Sequence, residues 1–142
     1  KAKEYAESWG VFMQLINIIR DVSEDAQRDR IYLPMEDLAR WGISEDDVKS
    51  GEDLLNHSGW TPFVKEYLER ADGYRQRAFK LFSHLDKSAR YSPAAMASFY
   101  QSIMTKISKK NGDVFTERIQ LSKTEKILLA GYVYVRHRFF GF

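Results

Sequence analysis

The chain has 142 residues, of which 44% are hydrophobic, 14% aromatic and 30% charged, which is room for one compact domain with one core and is not the composition of a disordered segment. Its 22 basic and 20 acidic residues leave a formal charge of +2, which argues neither for nor against a nucleic-acid partner; the absence of Cys excludes disulfides, thiolate metal sites and a Cys nucleophile. His57, His84 and His137 stand far apart without ligand spacing, no apolar run reaches the length of a membrane span, and the start KAKEYAESWG lacks the form of a signal peptide.

Taken in order, the first helix is expected from about Glu4 to Ala26, with Trp9, Phe12, Leu15, Ile16, Ile19 and Val22 on its apolar side. The chain opens inside this helix without a cap, the mark of a piece of a longer protein. Tyr32-Leu33-Pro34 is extended, because the residue before a Pro avoids the helical region; a short helix from Met35 to Arg40 then stops at Gly42. Ser44 caps a second short helix with Glu45, Asp46 and Asp47 in its first turn, where the helix dipole favours acids, and Gly51 ends it. GEDLLNHSGW is the most loop-like stretch.

Thr61-Pro62 reads as an N-cap with Pro at the first helical position, opening a long helix to about Leu85. Ser92-Pro93 repeats the signal for a helix through Ile107, stopped near Asn111-Gly112. Ser122 and Glu125 form a capping box for a last helix carrying Ile127, Leu128, Tyr132, Val135 and Phe139. No segment alternates with period two, so the fold is all-α.

The first helix holds the chemistry. At about 100° per residue, Gly10, Gln14, Asn17, Asp21, Glu24, Asp25 and Arg28 fall within an arc of roughly 100°. A solvated face of an amphipathic helix is the plain reading of such a stripe. Two features speak against it: the stripe contains no Lys up to Asp25, and Asn and Asp are mediocre helix formers. Oxygen ligands four residues apart suit a hard cation such as Mg²⁺, which keeps waters and substrate phosphates in its shell. Arg20, Arg28 and Arg30 lie close by in sequence, and a guanidinium grips phosphate oxygens in a fork. Carboxylates, Mg²⁺ and Arg together make a site for a diphosphate.

The stretch GVFMQLINIIRDVSEDAQRDRIYLP, Gly10 to Pro34, closely resembles the second aspartate-rich motif of squalene and phytoene synthases. Gly10, Gln14-Leu15, Asn17-Ile18, Arg20-Asp21, Glu24-Asp25 and Arg30 with Tyr32-Leu33-Pro34 supply every fixed element of that motif. SPAAMASFYQSIMTKI, with Tyr100, resembles a later family helix, and VFTERIQLSKTEKI resembles the segment before the last one.

The resemblance implies an isoprenoid synthase fold, of which residues 1–142 are the C-terminal helices. It implies Asn17, Asp21 and Asp25 as magnesium ligands, with Asp21, Asp25 and Arg20 as the catalytic group. It further implies that Gln14, Arg20, Arg30 and Tyr100 contact diphosphate or substrate and that Met13 lines the prenyl tunnel. The implied reaction is a Mg²⁺-dependent head-to-head condensation of two prenyl diphosphates, farnesyl or geranylgeranyl, through a cyclopropylcarbinyl diphosphate. The product is squalene, dehydrosqualene or phytoene, with NADPH used if squalene is made. The family's first aspartate-rich motif has no counterpart here, so the 142 residues alone are expected to be inactive, completed in the parent by an N-terminal half.

The rival reading is a non-catalytic helical scaffold with the same fold, disfavoured because Asn17, Asp21 and Asp25 are intact. Glu45 to Asp47 are expected to be a solvated first turn. The aromatic, basic end KILLAGYVYVRHRFFGF is expected to pack in the core, with a resting place on a membrane as the alternative. YLERADGYRQRAFKLF is expected to be core and not a nucleic-acid surface, since no nucleic-acid motif accompanies it. The parent is expected to be a bacterial cytoplasmic enzyme touching the membrane surface.

Overall fold

A computed structural model describes residues 1–140, with the backbone alone at Phe140. Among the described residues six α-helices follow one another: α1 (Ala2–Ala26), α2 (Met35–Arg40), α3 (Glu45–Lys49), α4 (Trp60–Ala78), α5 (Tyr91–Lys109) and α6 (Lys123–Phe140). Short 3₁₀ segments cover Gly51–Asn56, Phe79–His84 and Lys87–Ala89, and the described residues contain no strand.

Helix α1 packs most extensively on α4, and α6 leans on α5. The main core joins Phe12, Ile16 and Ile19 of α1 to Trp60, Phe63 and Tyr67 of α4, all at most 2% exposed. Burying each such side chain is worth about 1.5–3 kcal/mol, so this seam fixes how α1 lies and where its polar stripe points. A second cluster gathers Trp9, Ala78, Phe82, Ala94, Ala97 and Val133 at the other end of α1.

The helix starts hold to within two residues. Helix α4 begins at Trp60 after Gly59, so Thr61 lies inside the first turn and its hydroxyl donates to the Asn111 carbonyl at 3.3 Å. Gly59 is required there because a Cβ would sit 2.1 Å from the Trp41 carbonyl oxygen. The expected helix to Leu85 ends at Ala78 and tightens into 3₁₀ turns, where Phe82 buries itself under Trp9. Likewise α5 starts at Tyr91, one residue before Ser92. The stretch read as loop contains a 3₁₀ turn instead, because Leu54 drops into the core at 1% exposure.

The capping boxes are as expected. Ser44 Oγ accepts from the Asp47 amide at 3.2 Å and Asp47 returns the bond to the Ser44 amide at 2.7 Å, leaving Glu45 and Asp46 in solvent. In the second, the Glu125 amide reaches Ser122 Oγ at 3.1 Å and the Ser122 amide reaches Glu125 Oε2 at 2.8 Å.

Core packing of the last helix is corrected. Among the described residues of α6 only Val133 is buried, whereas Ile127, Leu128, Tyr132, Tyr134, Val135 and Phe139 are exposed, Phe139 by 74%. The reason is that α6 lies against α5 on one side and has a second apolar side with no helix over it among the described residues. Residues 141 and 142 of that stretch lie outside the described residues. No helix among the described residues is long and apolar enough to cross a membrane.

Candidate active site

The polar stripe of α1 is not a freely solvated face. Asn17 is half-buried, its Nδ2 lies 3.4 Å from the Tyr100 hydroxyl on α5, and its Oδ1 is buried without a hydrogen-bond partner. Tyr100 is held there by its ring, which meets Phe12 edge-on at 6.3 Å between centroids. A buried oxygen without a partner costs about 1–3 kcal/mol, so Asn17 is expensive to keep unless something else uses that lone pair.

One turn on, the Asp21 carboxylate is gripped by Arg20 in a fork, Nε to Oδ1 at 2.8 Å and Nη2 to Oδ2 at 2.5 Å. The Asp21 carboxylate holds the Arg20 guanidinium above its already high ordinary pKa, mainly through this hydrogen bond. A second cation arrives from a different part of the chain: Arg118 Nη2 lies 3.5 Å from Asp21 Oδ1 and its Nη1 3.0 Å from Glu24 Oε1. Arg20, Arg118 and Lys126 line a shallow cleft of about 200 Å³ with Ile103 and Gln120. One patch therefore holds hard oxygen donors and, beside them, three cations, of which Arg20 and Arg118 rest on the Asp21 and Glu24 carboxylates.

The remaining expected site residues are placed as follows. Asp25 is half-buried at the end of α1, and its backbone carbonyl accepts from the Arg28 and Arg30 amides at 3.0 and 2.9 Å. Arg30 itself is exposed beyond the helix end, and no contact draws its side chain to Asp21. Gln14 is exposed on the same side of α1 as Asn17. Met13 is half-buried and packs against both core clusters. Arg118 is the partner that sequence reasoning did not assign: it sits 97 residues from Asp21, and no periodicity links them.

A divalent cation fits this donor set in one respect and is limited in another. The orphaned Asn17 oxygen and the Asp21 carboxylate are the hard oxygens Mg²⁺ prefers, one turn apart on one helix. Among the described residues no three His, Cys, Asp or Glu side chains gather as a metal cage, so a cation here would draw part of its shell from an incoming anion. An apolar cavity of about 500 Å³ between Phe79, Ala94, Ala97, Tyr132 and Val133 does not include these residues.

A sequence profile of the family described as Squalene/phytoene synthase matches residues 1–125. The chain belongs to the squalene/phytoene synthase family. Among its relatives, phytoene synthase 2 of Zea mays is 36% identical over 127 residues, 89% of this chain and 31% of that protein. The 15-cis-phytoene synthase of Synechocystis is 35% identical over 134 residues, 94% of this chain and 39% of that protein. A crystal structure of a dehydrosqualene synthase in complex with ligand superposes with a TM-score of 0.80 at 26% identity, covering 94% of this chain and 46% of that one. The family member's fold is thus the all-α isoprenoid synthase fold expected from its motif. The chain spans between about a third and a half of the length of these relatives.

Proposed function

We propose that the chain is the C-terminal part of a prenyltransferase that condenses two prenyl diphosphates head to head. The observation that carries the reading is the cluster of Asn17, Asp21 and Tyr100 against the cleft of Arg20, Arg118 and Lys126. In it Asn17 Oδ1 and Asp21 would hold the metal, with Asp25 completing the motif toward the helix end. Bound Mg²⁺ supplies neutralisation of the departing diphosphate, lowering the barrier to an allylic cation. Arg20 and Arg118 donate to diphosphate oxygens as negative charge collects there, and Tyr100 offers a hydroxyl at the same edge. Gln14 and Met13, earlier on α1, face the prenyl chains, and Arg30 is a further contact at the diphosphate end.

Relatives named phytoene synthases and a dehydrosqualene synthase support geranylgeranyl or farnesyl diphosphate as substrate, joined through a cyclopropylcarbinyl diphosphate. NADPH enters only if squalene is the product. The N-terminal half of the domain supplies the first aspartate-rich motif, so residues 1–142 alone turn over no substrate. A cytoplasmic enzyme in contact with a membrane surface suits a hydrocarbon product, which leaves water for lipid.

The test is incubation of the full-length protein with Mg²⁺ and either farnesyl or geranylgeranyl diphosphate. A C30 or C40 hydrocarbon that disappears with EDTA is expected. A folded protein that makes no product from either substrate would contradict the reading and favour a non-catalytic scaffold.

A further inference from the structure

The Asp21 carboxylate, which the proposed function needs for the metal, already has most of its acceptor capacity engaged. Arg20 takes both oxygens in a fork, and Arg118 adds a third contact to Oδ1. A carboxylate has about four lone-pair sites, so three are claimed by guanidinium N–H groups. A divalent cation approaching the remaining one would come within a few ångströms of two unit positive charges, which repel it. Binding the metal therefore requires at least the Arg20 fork to open.

Opening that fork leaves a half-buried guanidinium without its anion. The cleft that Arg20 shares with Arg118 and Lys126 gives it space to turn into, but that cleft brings more positive charge. Glu24, the other carboxylate acting on Arg20, is already engaged by Arg118, so an incoming anion relieves it best, and a diphosphate offers the pairs of oxygens that a guanidinium fork matches.

We propose that Arg20 is an exchangeable counter-ion: resting on Asp21, it holds the metal position closed, and it transfers to the diphosphate when metal and diphosphate bind together. Metal alone must displace the fork, and diphosphate alone must pull Arg20 away from a carboxylate left unpaired. Each ligand removes the obstacle to the other, so the two affinities are reciprocally coupled. The consequence is that metal without substrate stays weakly held. The inference rests on the synthase reading of this site. It adds a role for the Arg20–Asp21 pair, which a simple phosphate contact at Arg20 would not have.

Calorimetric titration of Mg²⁺ into the full-length protein, with and without inorganic pyrophosphate, tests it. A blank titration removes the solution complex of the two, and Asp21→Asn provides the background from sites elsewhere. In the wild type, pyrophosphate should raise metal affinity at the Asp21 site by about 5- to 150-fold, the usual range of coupling between two ligands. Arg20→Lys keeps the charge but loses the fork. It should bind Mg²⁺ alone several-fold more tightly than the wild type, with a smaller gain from pyrophosphate. Equal metal-alone affinity and equal gain in the two proteins would overturn the exchange while leaving the synthase reading standing. Metal binding unaffected by Asp21→Asn, with and without pyrophosphate, would overturn both. Arg118→Lys, on a separate loop, loosens the same carboxylate from the other side. If Arg20→Lys fails to fold, a rise in metal-alone affinity in Arg118→Lys supports the exchange and no change contradicts it.

Discussion

Asn17 carries the clearest sign that the α1 stripe is kept for binding. Its buried Oδ1 has no partner, and its Nδ2 makes one long contact of 3.4 Å to Tyr100. Replacing it by Leu removes the orphaned oxygen and fills similar volume, so Asn17→Leu should stabilise the fold by about 1 kcal/mol while weakening Mg²⁺ binding. Chemical denaturation of both proteins, read beside a metal titration, checks the pair of effects; a destabilised variant would show that the amide is structural. Phe12, one turn earlier on the opposite side, should behave in the ordinary way. Phe12→Ala is expected to cost about 3–5 kcal/mol through the cavity it leaves under Tyr100, measured as a fall in the denaturant midpoint. The stripe was legible because spacing and residue type act within one helix. Arg118 was not, since only tertiary packing brings it to Asp21 and Glu24.

Among the elements, α6 is held at its start by more than its capping box. Lys106 Nζ reaches Glu125 at 2.8 Å and the Gln120 carbonyl at 3.0 Å, tying α5 to the loop that carries Arg118. The Lys106 ammonium, helped by the Ser122 amide, holds the Glu125 carboxyl down at about 2, against an ordinary value of 4.5. A depressed carboxyl stabilises the fold fully above its unfolded pKa, and the contribution fades as pH falls from about 4.5 toward 2. Glu125→Gln should therefore be less stable than the wild type at pH 7, and the difference should shrink as pH falls from about 4.5 and vanish only below about pH 2. Urea midpoints across that range measure it; a difference independent of pH would place the effect in the cap hydrogen bonds alone. Caps of this kind were readable because Ser and Glu three apart are a local signal. The starts of α4 and α5 were displaced by two residues because Trp60 and Tyr91 join their helices for packing reasons that no cap residue announces.

For the whole molecule, the informative feature is that α6 packs on α5 yet leaves Ile127, Leu128, Tyr132, Tyr134, Val135 and Phe139 exposed. A contiguous exposed apolar surface of this kind marks an interaction face. The match covers 46% of the solved dehydrosqualene synthase, and the exposed side at Ile127, Leu128 and Tyr132 is predicted to be covered in the full-length protein. The 142-residue chain by itself should accordingly bind a hydrophobic dye such as ANS strongly and the full-length protein weakly; equal dye binding would contradict that prediction. The error over α6 has the same origin as the success over α1: periodicity says which residues are apolar, not what covers them. The cluster of Asn17, Asp21, Arg20 and Tyr100 remains the centre of the account. The measurement that bears on it most directly is the rate of pyrophosphate release from prenyl diphosphate by the full-length protein and by its Asp21→Asn variant, with circular dichroism to establish that both fold. A loss on the order of 100-fold or more, without change in the fold, is predicted from removal of a charge that acts on the leaving group. Equal rates in the two folded proteins would contradict it.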